Sequence, residues 1–143
     1  MSHCSVIVVE DDRELGELVL EALGMELDCE LRLILDGREA VEWFSSEEAR
    51  DSPPDLVILD MHLPSVSGME ILDFIRSRET FHNTQIIVTT ADSMLLERAR
   101  DKADWLLLKP VAYSHITEIS RWFKARLEKA ADTESSRNPT RDR

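Results

Sequence analysis

The chain has 143 residues and a mass of 16.4 kDa, the size of one domain. Hydrophobic residues at 43% and charged residues at 32% supply both a core and a solvated surface, which excludes a wholly disordered chain. The 29 acidic against 17 basic residues give a net charge of -12, the wrong sign for gripping a phosphate backbone, so direct nucleic-acid binding is not expected.

The longest apolar runs, Val6 to Val9 and Trp105 to Leu108, fall far short of the roughly 18 residues of a membrane span, and no membrane insertion is expected. The amino terminus has no basic region and reaches Glu10-Asp11-Asp12 too soon for a secretory signal, which makes a cytoplasmic location the default. Cys4 and Cys29 flank or enter apolar segments; buried thiols are favoured over a disulfide, and zinc-type spacing is absent.

Ser5 to Val9 is a β-branched run without alternation, the pattern of a strand covered on both faces. Leu15, Leu18, Val19, Ala22 and Leu23 then recur at helical spacing, and Asp11 with Glu14 has the spacing of a capping box. Cys29 to Leu35 reads as a second strand, and Gly37, Ala40, Val41 and Phe44 mark a helix face, closed by Ser45 to Pro54. A third strand, Asp55 to Leu59, ends at Asp60; the loop Met61 to Val66 leads to a helix with a Ser67/Glu70 capping box and Leu72 and Ile75 facing inward. Gln85 to Thr89 is a fourth strand, Ser93 to Asp101 a short helix and Trp105 to Leu108 a fifth strand, followed by a last helix striped by Ile116, Ile119, Phe123 and Leu127.

Five strands alternating with five helices make βαβ units, hence a doubly wound α/β domain with a parallel sheet and helices on both faces. From Ala130 onward no large apolar residue is present, so the division expected is a folded unit over 1–129 and a disordered tail over 130–143.

Ligands of such sheets sit at the carboxyl ends of the strands, where the strand order reverses. Here the ends carry Glu10-Asp11, Asp60, Thr89-Thr90 and Lys109-Pro110. If the order is 2-1-3-4-5, the first and third strands are neighbours and three carboxylates share one crevice. Carboxylates about 4 Å apart repel by roughly 4 kcal/mol per pair at an effective dielectric of 20, so the cluster demands a cation or a proton. All-oxygen donors favour magnesium. With Lys109 and a hydroxyl on the same rim, the site could bind a phosphoryl group that Asp60 attacks.

Val8-Val9-Glu10-Asp11-Asp12, Leu56-Val57-Ile58-Leu59-Asp60-Met61-His62-Leu63-Pro64 with Ser67-Gly68, Thr90-Ala91 and Lys109-Pro110 together resemble the receiver domain of two-component response regulators, over about residues 5 to 128. The resemblance supplies the strand order 2-1-3-4-5 of a flavodoxin-like receiver fold. It implies that Asp60 is the phosphoacceptor for a phosphohistidine on a sensor histidine kinase or phosphotransfer protein. Glu10, Asp11, Asp60 and the backbone carbonyl of His62 would hold Mg2+, with Mn2+ able to substitute. Lys109 would pair with the phosphoryl oxygens, Thr90 would donate its hydroxyl, and the backbone N–H groups of Met61 and Ala91 would complete the cradle. Lys109-Pro110 would be a cis peptide.

Two positions depart from the family pattern, Leu106 and Lys102, the latter standing where relatives often carry glycine. Leu106 stands where receivers carry a switching Tyr or Phe, and Trp105 should face away from Leu106 because successive strand residues point to opposite faces. Thr89 beside Thr90 offers a second candidate hydroxyl; Thr90 is chosen because alanine follows it. His62 and His115 are read as solvated or capping side chains, and Trp43, Trp105 and Trp122 as core packing. The last helix's Arg121, Lys124, Arg126 and Lys129 read as its solvated side.

The function expected is a stand-alone, phosphorylation-controlled binding module that catalyses only its own phosphorylation and dephosphorylation. Its readout would be a separate protein, a self-dimer or onward phosphotransfer, through the short helix from Ser93, the strand from Trp105 and the last helix. The rival readings are a degenerate receiver that binds partners without phosphorylation, motivated by Leu106, and a magnesium-dependent phosphohydrolase. The second is disfavoured because His62 stands where one large class of such enzymes carries a second Asp.

Overall fold

The computed structural model describes residues 4–137. Five strands form one parallel sheet in the order β2-β1-β3-β4-β5: β1 Ser5–Val9, β2 Glu30–Ile34, β3 Leu56–Asp60, β4 Gln85–Thr90 and β5 Trp105–Leu108. Six α-helices join them: α1 Arg13–Glu26, α2 Gly37–Phe44, α3 Glu47–Asp51, α4 Gly68–Arg76, α5 Ser93–Arg98 and α6 Tyr113–Arg137. No helix among the described residues is long and apolar enough to cross a membrane.

The sheet's continuous apolar strands separate two cores, because alternate residues point to opposite faces. Val57, Leu59, Ile86 and Val88 face one cluster with Ile71, Ile75 and Phe44, whereas Val6, Val8, Leu56, Ile58 and Ile87 face another with Leu23, Ile119 and Phe123. Leu106 packs against the first cluster and Trp105 against the second, where it meets Trp122 edge to face at 5.2 Å between centroids. The two side chains therefore do face opposite ways, as strand geometry requires.

Four expectations need correction. The stretch between α2 and β3 is not all loop: α3 is a sixth helix, capped by Ser46, whose hydroxyl accepts the Ala49 N–H at 3.2 Å. Five residues are too few to show a periodicity. The cap of α1 is Asp12, accepting from the Leu15 N–H at 3.2 Å, and not Asp11. Asp11 instead joins the acidic cluster described below. Helix α6 does not end near 129 but runs through Arg137; Ala130 and Ala131 are strong helix formers, no Gly or Pro interrupts, and propagating a formed helix costs little per residue. The expected disordered segment is thus helical over 130–137, while 138–143 lies outside the described residues.

The fourth correction concerns the cysteines. Cys4 and Cys29 form a disulfide with their Cα atoms 4.8 Å apart. The parallel register pairs Ser5 with Glu30, which sets the two preceding residues opposite each other, a juxtaposition that reading each cysteine in its own apolar segment does not reveal.

One polar network ties the amino ends of β4 and β5 to the end of α4. The Arg76 guanidinium donates to the Lys102 carbonyl at 2.7 Å, the Thr84 carbonyl at 3.0 Å and Asp104 Oδ2 at 2.8 Å. The same Asp104 oxygen accepts the Ile86 N–H at 2.8 Å. Charge-assisted bonds to partly buried acceptors are the strong kind, so Arg76→Ala is expected to destabilise the fold by about 2 kcal/mol. A lowered urea midpoint at unchanged m-value would show this, and Arg76→Lys, lacking the planar fork, should rescue little.

Candidate functional site

Each site residue sits where a buried strand runs out. β1 ends at Val9, so Glu10 begins the turn into α1; its backbone N–H still donates to the Ile34 carbonyl at 3.0 Å, which holds the residue at the sheet's edge. Asp60 is the last residue of β3, and Lys109 follows β5 with its backbone N–H on the Thr90 carbonyl at 2.8 Å. The Lys109–Pro110 peptide bond is cis.

The three carboxylates predicted to share a crevice do so: one oxygen from each of Glu10, Asp11 and Asp60 lies within 4.8 Å of the others. Glu10 and Asp60 are buried, at 5% and 3% exposure, while Asp11 opens to solvent. The Lys109 ammonium stands between the buried pair, 2.9 Å from Glu10 Oε1 and 3.3 Å from Asp60 Oδ2. Burial pushes the Glu10 carboxyl up to about 7, the Asp60 charge adds to the rise, and the Lys109 hydrogen bond and charge and the Asp12 N–H at 3.2 Å only partly oppose it. Burial works against the Lys109 ammonium too, but the Glu10 hydrogen bond and the Asp60 charge outweigh it and hold its pKa above the usual lysine value.

This electrostatic balance bears on a metal. One ammonium facing three carboxylates leaves two negative charges, and a carboxyl pushed towards neutrality marks a site short of positive charge. The donors are hard oxygens converging on one point, so they fit a divalent cation of the magnesium type.

The loop after β3 is braced from below. The Asp60 Oδ1 accepts the His62 N–H at 3.1 Å, whereas the Met61 N–H donates to the Thr89 carbonyl at 3.0 Å. The Met61 donor expected in the cradle is thus engaged in the β3–β4 ladder, and the His62 N–H is the one beside Asp60. The His62 side chain is exposed. Ser67 caps α4 through the Glu70 N–H at 3.2 Å, the capping box read from the sequence.

Sequence reasoning missed the brace formed by Asp36 and Ser65, 29 residues apart, whose hydroxyl donates to Asp36 Oδ1 at 2.7 Å. That bond and the Arg38 N–H hold the Asp36 carboxyl below the usual range. Ser65 has a positive φ of 64°, a conformation uncommon outside glycine. A Cβ on Gly37 would lie 2.2 Å from the Val66 carbonyl oxygen, so the glycine is what lets this loop approach α2. Only the Gly37 position carries any signal in the sequence.

The two threonines divide between the sheet's faces. Thr90 is fully buried and its hydroxyl accepts the Asp92 N–H at 3.1 Å. It shares the parity of Val88, the partner of Leu106. Thr89 pairs with Asp60 in the sheet register and lines a small cavity with Glu10 and Lys109. Ala91 is exposed at the start of the turn into α5.

Comparison with known proteins agrees with this geometry. The response regulator receiver domain family matches residues 6–121, and the chain belongs to that family. The phosphate regulon transcriptional regulatory protein PhoB of Rhizobium meliloti is 36% identical over 131 residues, covering 87% of this chain and 52% of the relative. The chain thus spans about half the length of that relative. Among solved structures, the signal receiver domain of a putative LuxO repressor protein from Vibrio parahaemolyticus superposes with a TM-score of 0.74 at 25% identity, covering 91% of this chain and 98% of that one. The phosphorylated cyanobacterial phytochrome response regulator RcpA gives a TM-score of 0.71 at 26% identity, covering 86% and 92%.

Proposed function

We propose that Asp60 accepts a phosphoryl group from a phosphohistidine of a sensor kinase or phosphotransfer protein, and that the acceptance requires magnesium at Glu10, Asp11, Asp60 and the His62 carbonyl. The observation that carries this reading is the buried Asp60 carboxylate at a strand end, 3.3 Å from Lys109 and within 4.8 Å of two further carboxylates. In the transfer, an Asp60 oxygen attacks phosphorus, the phosphorus–nitrogen bond breaks, and the electron pair leaves with the imidazole. Lys109 then exchanges carboxylate for phosphoryl oxygen as its partner, and the His62 and Ala91 N–H groups are the nearby backbone donors. Thr90 rotates its hydroxyl away from the Asp92 N–H to reach the new phosphoryl oxygen. Magnesium bound here would neutralise charge on the transferring group.

The partner-facing surface we assign to α5, β5 and α6, where Met94 and Leu108 are exposed. The readout is a change in affinity for a partner, as Thr90 and the elements next to it shift.

Intact mass after incubation with a small phosphodonor, with and without magnesium, tests the acceptor. One phosphoryl adduct is expected, dependent on magnesium, labile to hydroxylamine and absent from Asp60→Asn. No adduct with any donor, together with no magnesium binding, would leave a phosphorylation-independent interaction domain as the better account.

A further inference from the structure

The first threonine of the Thr89-Thr90 pair has no part in the reading above, yet it faces the same crevice. Alternation along β4 sends Thr89 to the side of Ile87, the side that Glu10 and Lys109 also share as liners of one cavity. Its Cα is paired with that of Asp60, and the residue is 5% exposed. The Thr90 hydroxyl, by contrast, is engaged by the Asp92 N–H.

The cavity is about 20 Å³, against the roughly 10–15 Å³ that one water requires. Its walls are apolar, Val9, Ile58 and Leu107 among them, and its polar lining among the described residues is Glu10, Thr89 and Lys109. An ammonium has three N–H donors. Two of those of Lys109 are directed at Glu10 and Asp60, which leaves one for a third acceptor.

We propose that Thr89 is a positioning residue of the phosphoacceptor site: its hydroxyl and one buried water in this cavity hold the Lys109 ammonium in place. The water accepts the third ammonium proton and donates to Thr89 Oγ1 and to a Glu10 oxygen, three partners, the usual number for a buried water. The arrangement would matter most with a metal held by Glu10, since Lys109 would then share or lose its shortest contact, the 2.9 Å one to Glu10. The water and Thr89 keep the ammonium aimed at Asp60. The consequence for phosphorylation rests on the reading of Asp60 given above; the water and the lysine contact do not.

The isosteric change Thr89→Val removes the hydroxyl with little change of volume, and Thr89→Ser restores it. High-resolution crystal structures of the metal-free proteins should show an ordered water between Lys109 and residue 89 in the wild type and in Thr89→Ser, and none in Thr89→Val. Phosphorylation of Asp60 by a small phosphodonor should slow about tenfold in Thr89→Val, the loss of one hydrogen bond to a charged group. It should recover to within about twofold in Thr89→Ser. Solvent exchange of the Lys109 ammonium protons, read by NMR, should quicken in the valine variant alone. A wild-type crystal with no water in the cavity, or a valine variant phosphorylated at the wild-type rate, would overturn the proposal. If no variant takes a phosphoryl group at all, the acceptor reading fails, and the water and the ammonium signal still decide the role of Thr89.

Discussion

Gly68→Ala is expected to cost about 3 kcal/mol of stability and to weaken magnesium binding with it. A Cβ at this first residue of α4 would stand 2.4 Å from the Met61 Cα and 2.6 Å from the Asp60 carbonyl oxygen. Both are backbone atoms of the strand end that presents Asp60, so no side chain can swing aside to make room. Either α4 withdraws from β3, opening the core around Leu72 and Ile71, or Asp60 moves out of register with Glu10 and Lys109. Alanine's better helix propensity returns at most about 1 kcal/mol. Gly24→Ala is the control with opposite sign: on the exposed side of α1 its Cβ meets nothing nearer than a Leu31 methyl at 3.6 Å, and it should stabilise by up to about 1 kcal/mol. Urea unfolding of the two variants and a magnesium titration of each would sink this account if Gly68→Ala unfolds at the wild-type midpoint.

The contrast between the two glycines shows where a sequence stops being legible. Strands and helices could be read because each is a local pattern: apolar runs of the sheet, helical stripes such as Ile116, Ile119 and Phe123, the Ser67/Glu70 box. The site could be read in part for a related reason. In a parallel sheet every strand end falls on the same edge, so Glu10, Asp11, Asp60 and Lys109 converge once the strand order is supplied. Contacts between segments far apart in the chain left no such trace. The Cys4–Cys29 bridge depends on the register of β1 against β2, the Arg76 network on residues up to 28 positions away, and the Asp36–Ser65 brace on a loop packing against a helix start. Asp11 and Asp12 illustrate competition between neighbours. Either could cap α1 by spacing, and the crevice takes Asp11 while the helix takes Asp12.

Magnesium affinity should fall with decreasing pH below about 7, and the metal-free protein should lose stability as pH rises towards that value. Both effects trace to Glu10, whose carboxyl sits at about 7 in the fold against 4.5 for the free group. Between those values the folded chain holds a proton that the unfolded chain has released, so stability falls as pH rises. The decline starts near pH 4.5 and is complete above 7, with an upper bound of about 3 kcal/mol at 1.36 kcal/mol per pH unit. The bound cation reverses the argument, since it favours the carboxylate and must expel the proton. At pH 6 magnesium binding should therefore release close to one proton and be about fivefold weaker than at pH 7 and about tenfold weaker than at pH 8.5, where it should release almost none. Calorimetric titrations in two buffers of different ionisation enthalpy measure that proton count directly. Equal affinity and no proton release at pH 6 would mean that Glu10 is already ionised in the fold, and the site would then be holding three charged carboxylates against a single lysine.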